Sequence, residues 1–313
     1  MNRLWRAFDR FWYRPAPASR LRMLRVLVGL YAVALLAIGF PNFVSVTRFQ
    51  PSEFDPVGPV ALLGSPLPRG LVYGLSALSI VLGVAFVAGY RYRLVGPAFA
   101  LLFLWVTSYR NSWGMKFHTE NLVALHLLLL SVAPAADKDD APEASPPRES
   151  GRYGWAITAM GAVTAVTYLL AGVAKLRLGG LHWMSGEALR VQVAYDNLRK
   201  IELGSVHSPV GAAIVGFTPL FRVLGVMTLL LELGAPLALL GGRFARTWAV
   251  GAYAFHLGVV ALMAIAFPYP LSGVAYASFF RVERLAETKV GLWLRTRGER
   301  LAQRLRLSAV EGR

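Results

Sequence analysis

Runs of Leu, Ala and Val about as long as a bilayer is thick recur along this chain, and short polar or proline-containing stretches separate them. A helix needs about 20 mostly apolar residues to cross the hydrocarbon core. There, each backbone N–H and C=O has to be satisfied within the segment or by a closed barrel. The runs lack the period-two alternation of a barrel strand, so they predict helices. Spans are expected at 21–40, 71–90, 94–108, 118–134, 154–175, 222–241 and 247–267, followed by a short eighth span or half-helix at 271–285. Residues 209–219 are too short to cross and are expected to be re-entrant. The expectation is an all-α, polytopic integral membrane helix bundle of about eight spans, including a short or re-entrant one, with interfacial amphipathic helices at both termini.

The stretches outside the spans complete the layout. Residues 1–20 interleave Trp5, Phe8, Phe11, Trp12 and Tyr13 with Arg3, Arg6, Arg10 and Arg14, a pattern for a helix lying along the membrane surface, ended by Pro15 and Pro17. A transmembrane domain is expected over 21–285, interrupted at 135–152 by an acidic, proline-containing linker. Residues 286–313 form a basic amphipathic tail.

Composition agrees. Hydrophobic residues make up 56% of the chain and charged ones 16%, against about 25% charged in soluble domains. The net charge of +16 gathers at the two ends, beside apolar spans. That placement indicates anchoring against anionic lipid rather than nucleic-acid binding. Seven arginines precede Val26, which sets the N-terminus in the cytoplasm. Counting eight spans puts Arg91, Arg93, Arg243, Arg246 and the tail on that same side. Residues 109–118 and 175–208 then face out, and the protein is expected in the plasma (inner) membrane with both termini cytoplasmic. The first span lacks a cleavage site and is expected to be retained. Without cysteine, thiol catalysis, disulfides and Cys-based metal sites are excluded.

Ionisable side chains inside spans are costly and default to functional candidates. His118 and His126 sit on the fourth span with Glu120 and Asn121 between them. Lys175 ends the fifth, Glu232 lies in the sixth and His256 in the seventh. His126 reads as an interhelical hydrogen bond. No metal site is expected, because no compact ligand motif is present. Lys175 has two readings: a snorkelling ammonium at a span end, or a general base made available by burial. Glu232 and His256 lie at similar depths and could pair, either as structural glue or as a proton relay.

At these residues the sequence resembles the horizontally transferred transmembrane (HTTM) domain family, bacterial relatives of the membrane part of vitamin K-dependent γ-glutamyl carboxylase. The resemblance runs from about Arg20 to Leu285. Its blocks are Arg48-Phe49-Gln50-Pro51, Trp113-Gly114-Met115-Lys116-Phe117-His118-Thr119-Glu120-Asn121-Leu122 with Leu125-His126-Leu127, Ala171-Gly172-Val173-Ala174-Lys175-Leu176, Glu232-Leu233-Gly234-Ala235-Pro236, and Phe255-His256-Leu257-Gly258. It implies a reduced quinone (vitamin K hydroquinone-like) oxidised with O₂, and CO₂ added to a carbanion. Lys175 matches the lysine that deprotonates the quinol, His118 a histidine near it, and His256 a later Phe-His position. Trp113, Glu120, Asn121, His126, Glu232 and His256 are expected to bind substrate or relay protons. The carboxylases continue into a large extracytoplasmic domain that holds the peptide, whereas this sequence runs into a basic tail. Peptide carboxylation is therefore not expected, and the membrane half of the chemistry, on a lipophilic quinol, is. The alternative is a non-catalytic membrane factor for maturation, export or immunity of a secreted peptide.

Overall fold

The structure is a computed structural model that describes residues 3–114, 119–136 and 149–288. Met1–Phe280 forms one compact unit and Arg281–Arg313 a second. In the second unit, a 3-10 stretch occupies Val282–Glu287.

Helix α1 (Arg3–Trp12) packs Trp5 edge-on to Phe8 and Phe8 at a tilt to Trp12 along one side. The chain then turns at Pro15, and β1 (Ala16–Pro17) pairs antiparallel with β2 (Glu149–Ser150). Helices α2 (Ala18–Ile38), α4 (Arg69–Ala88) and α7 (Gly151–Gly179) are each long and apolar enough to cross a membrane. Between α2 and α4 lies the short α3 (Phe40–Ser45). After α4 come α5 (Tyr92–Arg110) and α6 (Asn121–Val132). After α7 come α8 (His182–Ser185), α9 (Glu187–Glu202), α10 (Pro209–Ile214), α11 (Thr218–Leu233) and α12 (Gly242–Met263). Helix α2 packs on α4, α4 on α5, α5 on α6, α6 on α7 and α7 on α11.

The way α4 packs shows what solvent it suits. Its buried residues are Val72, Ser76, Ser79, Gly83 and Phe86, spaced four, three, four, three. Its exposed ones include Leu71, Leu78, Val81 and Val84. A helix in water buries leucines and exposes polar groups; here small residues face the neighbours and branched aliphatics face out, the arrangement of a helix among lipid. A methyl group added at Gly83 would lie 2.7 Å from Val33 and 2.9 Å from Phe99, so this glycine sets how closely α4 approaches α2 and α5.

Helix ends are satisfied by side chains from other elements. Arg25 is buried and donates to Ala135 O at 3.0 Å and Val87 O at 3.1 Å, joining the turn that follows α6 to the end of α4. The last carbonyls of α12 receive three donors in order: Ser208 Oγ on Ala261 O, Asn197 Nδ2 on Leu262 O and Lys200 Nζ on Met263 O. These carbonyls have no partner within their own helix, and the lysine also suits the negative end of its dipole.

Two expected helices differ in form. Instead of one helix over 222–241, α11 ends at Leu233 and the chain continues as a 3-10 stretch, Ala235–Leu240. Pro236 lacks the N–H that an α-helix would need there. The stretch expected to be helical from 271 is a single turn, α13 (Pro268–Leu271), then a 3-10 stretch, Val274–Phe279. Pro268, Pro270 and the left-handed Gly273 (φ 76°) prevent a continuous helix. This irregular backbone is covered by α2, α7 and α12, with Tyr269, Ala275, Tyr276 and Ala277 buried, the condition under which non-helical backbone is tolerated at membrane depth.

Candidate functional site

Helix α7 carries the polar groups of the interior on one stripe. Gly161, Thr164, Tyr168, Gly172 and Lys175 are spaced three or four apart, so they share a face. Each polar member of the stripe meets a partner from a different element.

Lowest on the stripe, Thr164 lies 3.1 Å from Nε2 of His126, whose Nδ1 lies 2.7 Å from the hydroxyl of Tyr269. His126 is fully buried, and these contacts tie α6 to α7 and α13. One turn on, the Tyr168 hydroxyl lies 2.7 Å from Nε2 of His256 and also meets the hydroxyl of Tyr276. Nδ1 of His256 is buried with no hydrogen-bond partner among the described residues. Two turns further, about 10 Å along the helix, Lys175 Nζ stands 2.6 Å from Oε1 of Glu232.

This last pair is an ion pair set largely inside the bundle. Glu232 is 2% exposed, and the Lys175 side chain is 22% exposed. The lysine therefore does not reach out into solvent. Its ammonium also sits over the face of Trp183, 5.4 Å from the ring centroid, a favourable place for a cation. Glu232 Oε2 is buried and has no hydrogen-bond partner among the described residues, an unsatisfied acceptor beside a fixed positive charge. Gly172 makes the approach of the two helices possible: a methyl there would lie 3.0 Å from Glu232 Cβ and from Leu233 Cδ2.

An apolar cleft of about 630 Å³ opens beside these pairs, between α9, α11 and α12. Met227, Leu231, Phe244, Trp248 and Phe255 line it. Trp248 is its inner wall: it donates to Leu231 O at 2.9 Å and packs edge-on to Tyr168 at 5.0 Å. Leu231 and Gly234, which flank Glu232 in sequence, both line the cleft. Lys175, Glu232 and His256 do not line it.

The anticipated pairing of Glu232 with His256 is not the one formed. Glu232 takes Lys175 and His256 takes Tyr168, each at a different level of the α7 stripe. Glu120 is buried and meets Arg110 at 3.1 Å, and its Oε2 has no partner among the described residues. Asn121 is the exposed first residue of α6. Trp113 packs against Phe54 at 5.0 Å and Tyr109 at 6.0 Å, in a cluster with Val46, Val60 and Val72. His118 lies outside the described residues, as do Met115, Lys116 and Phe117. Among the described residues no three His, Asp or Glu side chains converge.

Sequence reasoning missed Tyr168, Tyr276 and Trp183. Tyr168 was within reach, since it stands seven residues before Lys175 and so on the same face. Trp183 and Tyr276 come from a four-residue helix and a 3-10 stretch, for which sequence offers no periodicity.

A family model described as HTTM domain matches residues 13–283. No curated protein and no solved structure matches the chain.

Proposed function

The chain belongs to the HTTM domain family of membrane proteins, and from that premise we propose that it is a membrane-embedded enzyme whose Lys175–Glu232 pair takes a proton from a hydroxyl of a lipophilic, quinol-like substrate. The observation that carries this reading is the unshared oxygen of Glu232, buried beside the Lys175 ammonium. A substrate O–H donates to Glu232 Oε2. The proton moves to the carboxylate, and the substrate oxyanion forms against the ammonium, so total charge is unchanged. If Lys175 first passes its proton to Glu232 and then takes the substrate's, the product state is the same; the base is the pair. A fixed cation in a water-poor site stabilises the developing oxyanion far better than water does. His118 is assigned as the hydrogen-bond donor that orients the hydroxyl. O₂ is the oxidant that consumes the anion, and CO₂ is the further reactant if a carboxylation follows.

We assign the plasma membrane and place both termini in the cytoplasm, with residues 268–279 as an eighth crossing. Support comes from the order of contacts: Tyr276 meets Tyr168, and Phe279 packs against Gly161, nearer the start of α7. The chain thus runs back toward the end of the bundle where α7 begins.

Oxygen uptake and quinone formation by proteoliposomes supplied with lipophilic quinols test the reading. Lys175→Ala is expected to lower the rate on the order of 100-fold, the usual worth of a general base. Equal rates for wild type and variant would end the proposal.

A further inference from the structure

A second site stands apart from the Lys175–Glu232 pair, at the end of the bundle where α4 and α6 finish and α5 and α7 begin. A cleft of about 830 Å³ opens there, and three arginines line it: Arg91, Arg93 and Arg152. All three are exposed. They come from two separate parts of the chain, the start of α5, where Arg91 caps the helix and Arg93 lies in its first turn, and the first turn of α7. Trp155 of α7 also lines the cleft, with Pro97 of α5 and Val132 of α6 on its apolar side.

Two features bear on the occupant. The first is the backbone at Arg91, which adopts a left-handed conformation with φ 39°. A non-glycine residue there is strained, and glycine or asparagine would relieve it. The chain spends that strain on a guanidinium whose side chain lies over the Tyr90 ring. The second is the surroundings. Val132 is 69% exposed and Leu94, also lining the cleft, is 72% exposed, so an apolar outer surface begins directly at the charged mouth. A ligand that fits both has a phosphate for the arginines and hydrocarbon for the surface below. Arginine forks match phosphate oxygens bidentately, and a tryptophan at the same level is typical of the headgroup zone.

We propose that the cleft lined by Arg91, Arg93 and Arg152 is a binding site for the headgroup of an anionic phospholipid, whose acyl chains lie along Leu94 and Val132. The site selects lipids by headgroup charge and is independent of the proton-handling pair.

The test uses the full chain in nanodiscs and measures occupancy by native mass spectrometry as phosphatidylglycerol is titrated into phosphatidylcholine. Wild type is expected to retain phosphatidylglycerol selectively. The variant R91Q/R93Q/R152Q is expected to bind it at least about ten-fold more weakly, since each basic residue near a headgroup contributes about five-fold. A second variant, R243Q/R246Q, removes two exposed arginines that do not line this cleft, and is expected to bind as wild type does. Unchanged selectivity in the triple variant overturns the site. So does an equal loss in both variants, which would mark a diffuse attraction of basic residues for anionic lipid. Competition by inorganic phosphate at constant ionic strength, to the same extent as by phosphatidylglycerol, would also overturn it, because the acyl chains would then contribute nothing.

Discussion

Removing one member of the Lys175–Glu232 pair does not mirror removing the other. Lys175→Ala strands a carboxylate that is almost fully buried, whereas Glu232→Gln strands an ammonium whose side chain is 22% exposed and rests on Trp183. Uncompensated buried charge is what makes a broken pair costly. The alanine variant is therefore expected to lose more stability in detergent, by roughly 1–3 kcal/mol, than the glutamine variant. A double variant, K175M/E232L, should recover much of the loss while remaining inactive. Thermal unfolding of the three variants checks the order, and a glutamine variant less stable than the alanine one contradicts it. Lys175 could be singled out from sequence because a lysine ending an apolar run is conspicuous. Its partner could not, since depth along a span says nothing about rotation around it. Glu232 and His256 are similar in depth and so could pair by sequence, yet each turns toward a different level of α7.

Among elements, close approach and end-capping decide whether the site exists. Gly172 lets α11 come near enough for Glu232 to reach Lys175. Gly172→Val is expected to abolish activity to about the extent of losing the base, with every polar group of the site still present. Activity near wild type would show that the helix separation is unimportant. At the other junction, Asn197 joins the end of α12 to the start of α10 through Leu262 O and the Ser208 N–H. Asn197→Ala leaves both unsatisfied and is expected to cost about 2 kcal/mol, read as a lower midpoint of thermal unfolding. The long helices were legible because an apolar run of bilayer length has few alternatives. The form of the break after Leu233 and of the 3-10 path of 274–279 was not, because it depends on packing as well as on the local prolines, the first stretch lying against α7 and α12 and the second against α2, α7 and α12. Pro236, Pro268 and Pro270 announced a disturbance without giving its form.

For the whole molecule, the fold class followed from hydropathy, and arginine placement suggested a direction. The structure adds that Arg25, one of the seven N-terminal arginines, is an interior clamp between the end of α4 and the turn after α6, so not every arginine in a basic flank is a topology marker. The proposed orientation predicts that single cysteines at residue 93 and at residue 313 are shielded from a membrane-impermeant thiol reagent in intact cells, while one at residue 205 is labelled. The native chain has no cysteine to confuse the result. Labelling at 313 would reverse the assignment of the C-terminus.

The central claim concerns one proton, and it can be observed without oxygen. A lipophilic naphthoquinol added anaerobically to the protein in nanodiscs should give the absorbance of its anion in proportion to occupied sites. The account predicts that band with wild type and its loss in both Lys175→Ala and Glu232→Gln. A band of equal size in the two variants, or none with wild type at saturating quinol, would contradict it.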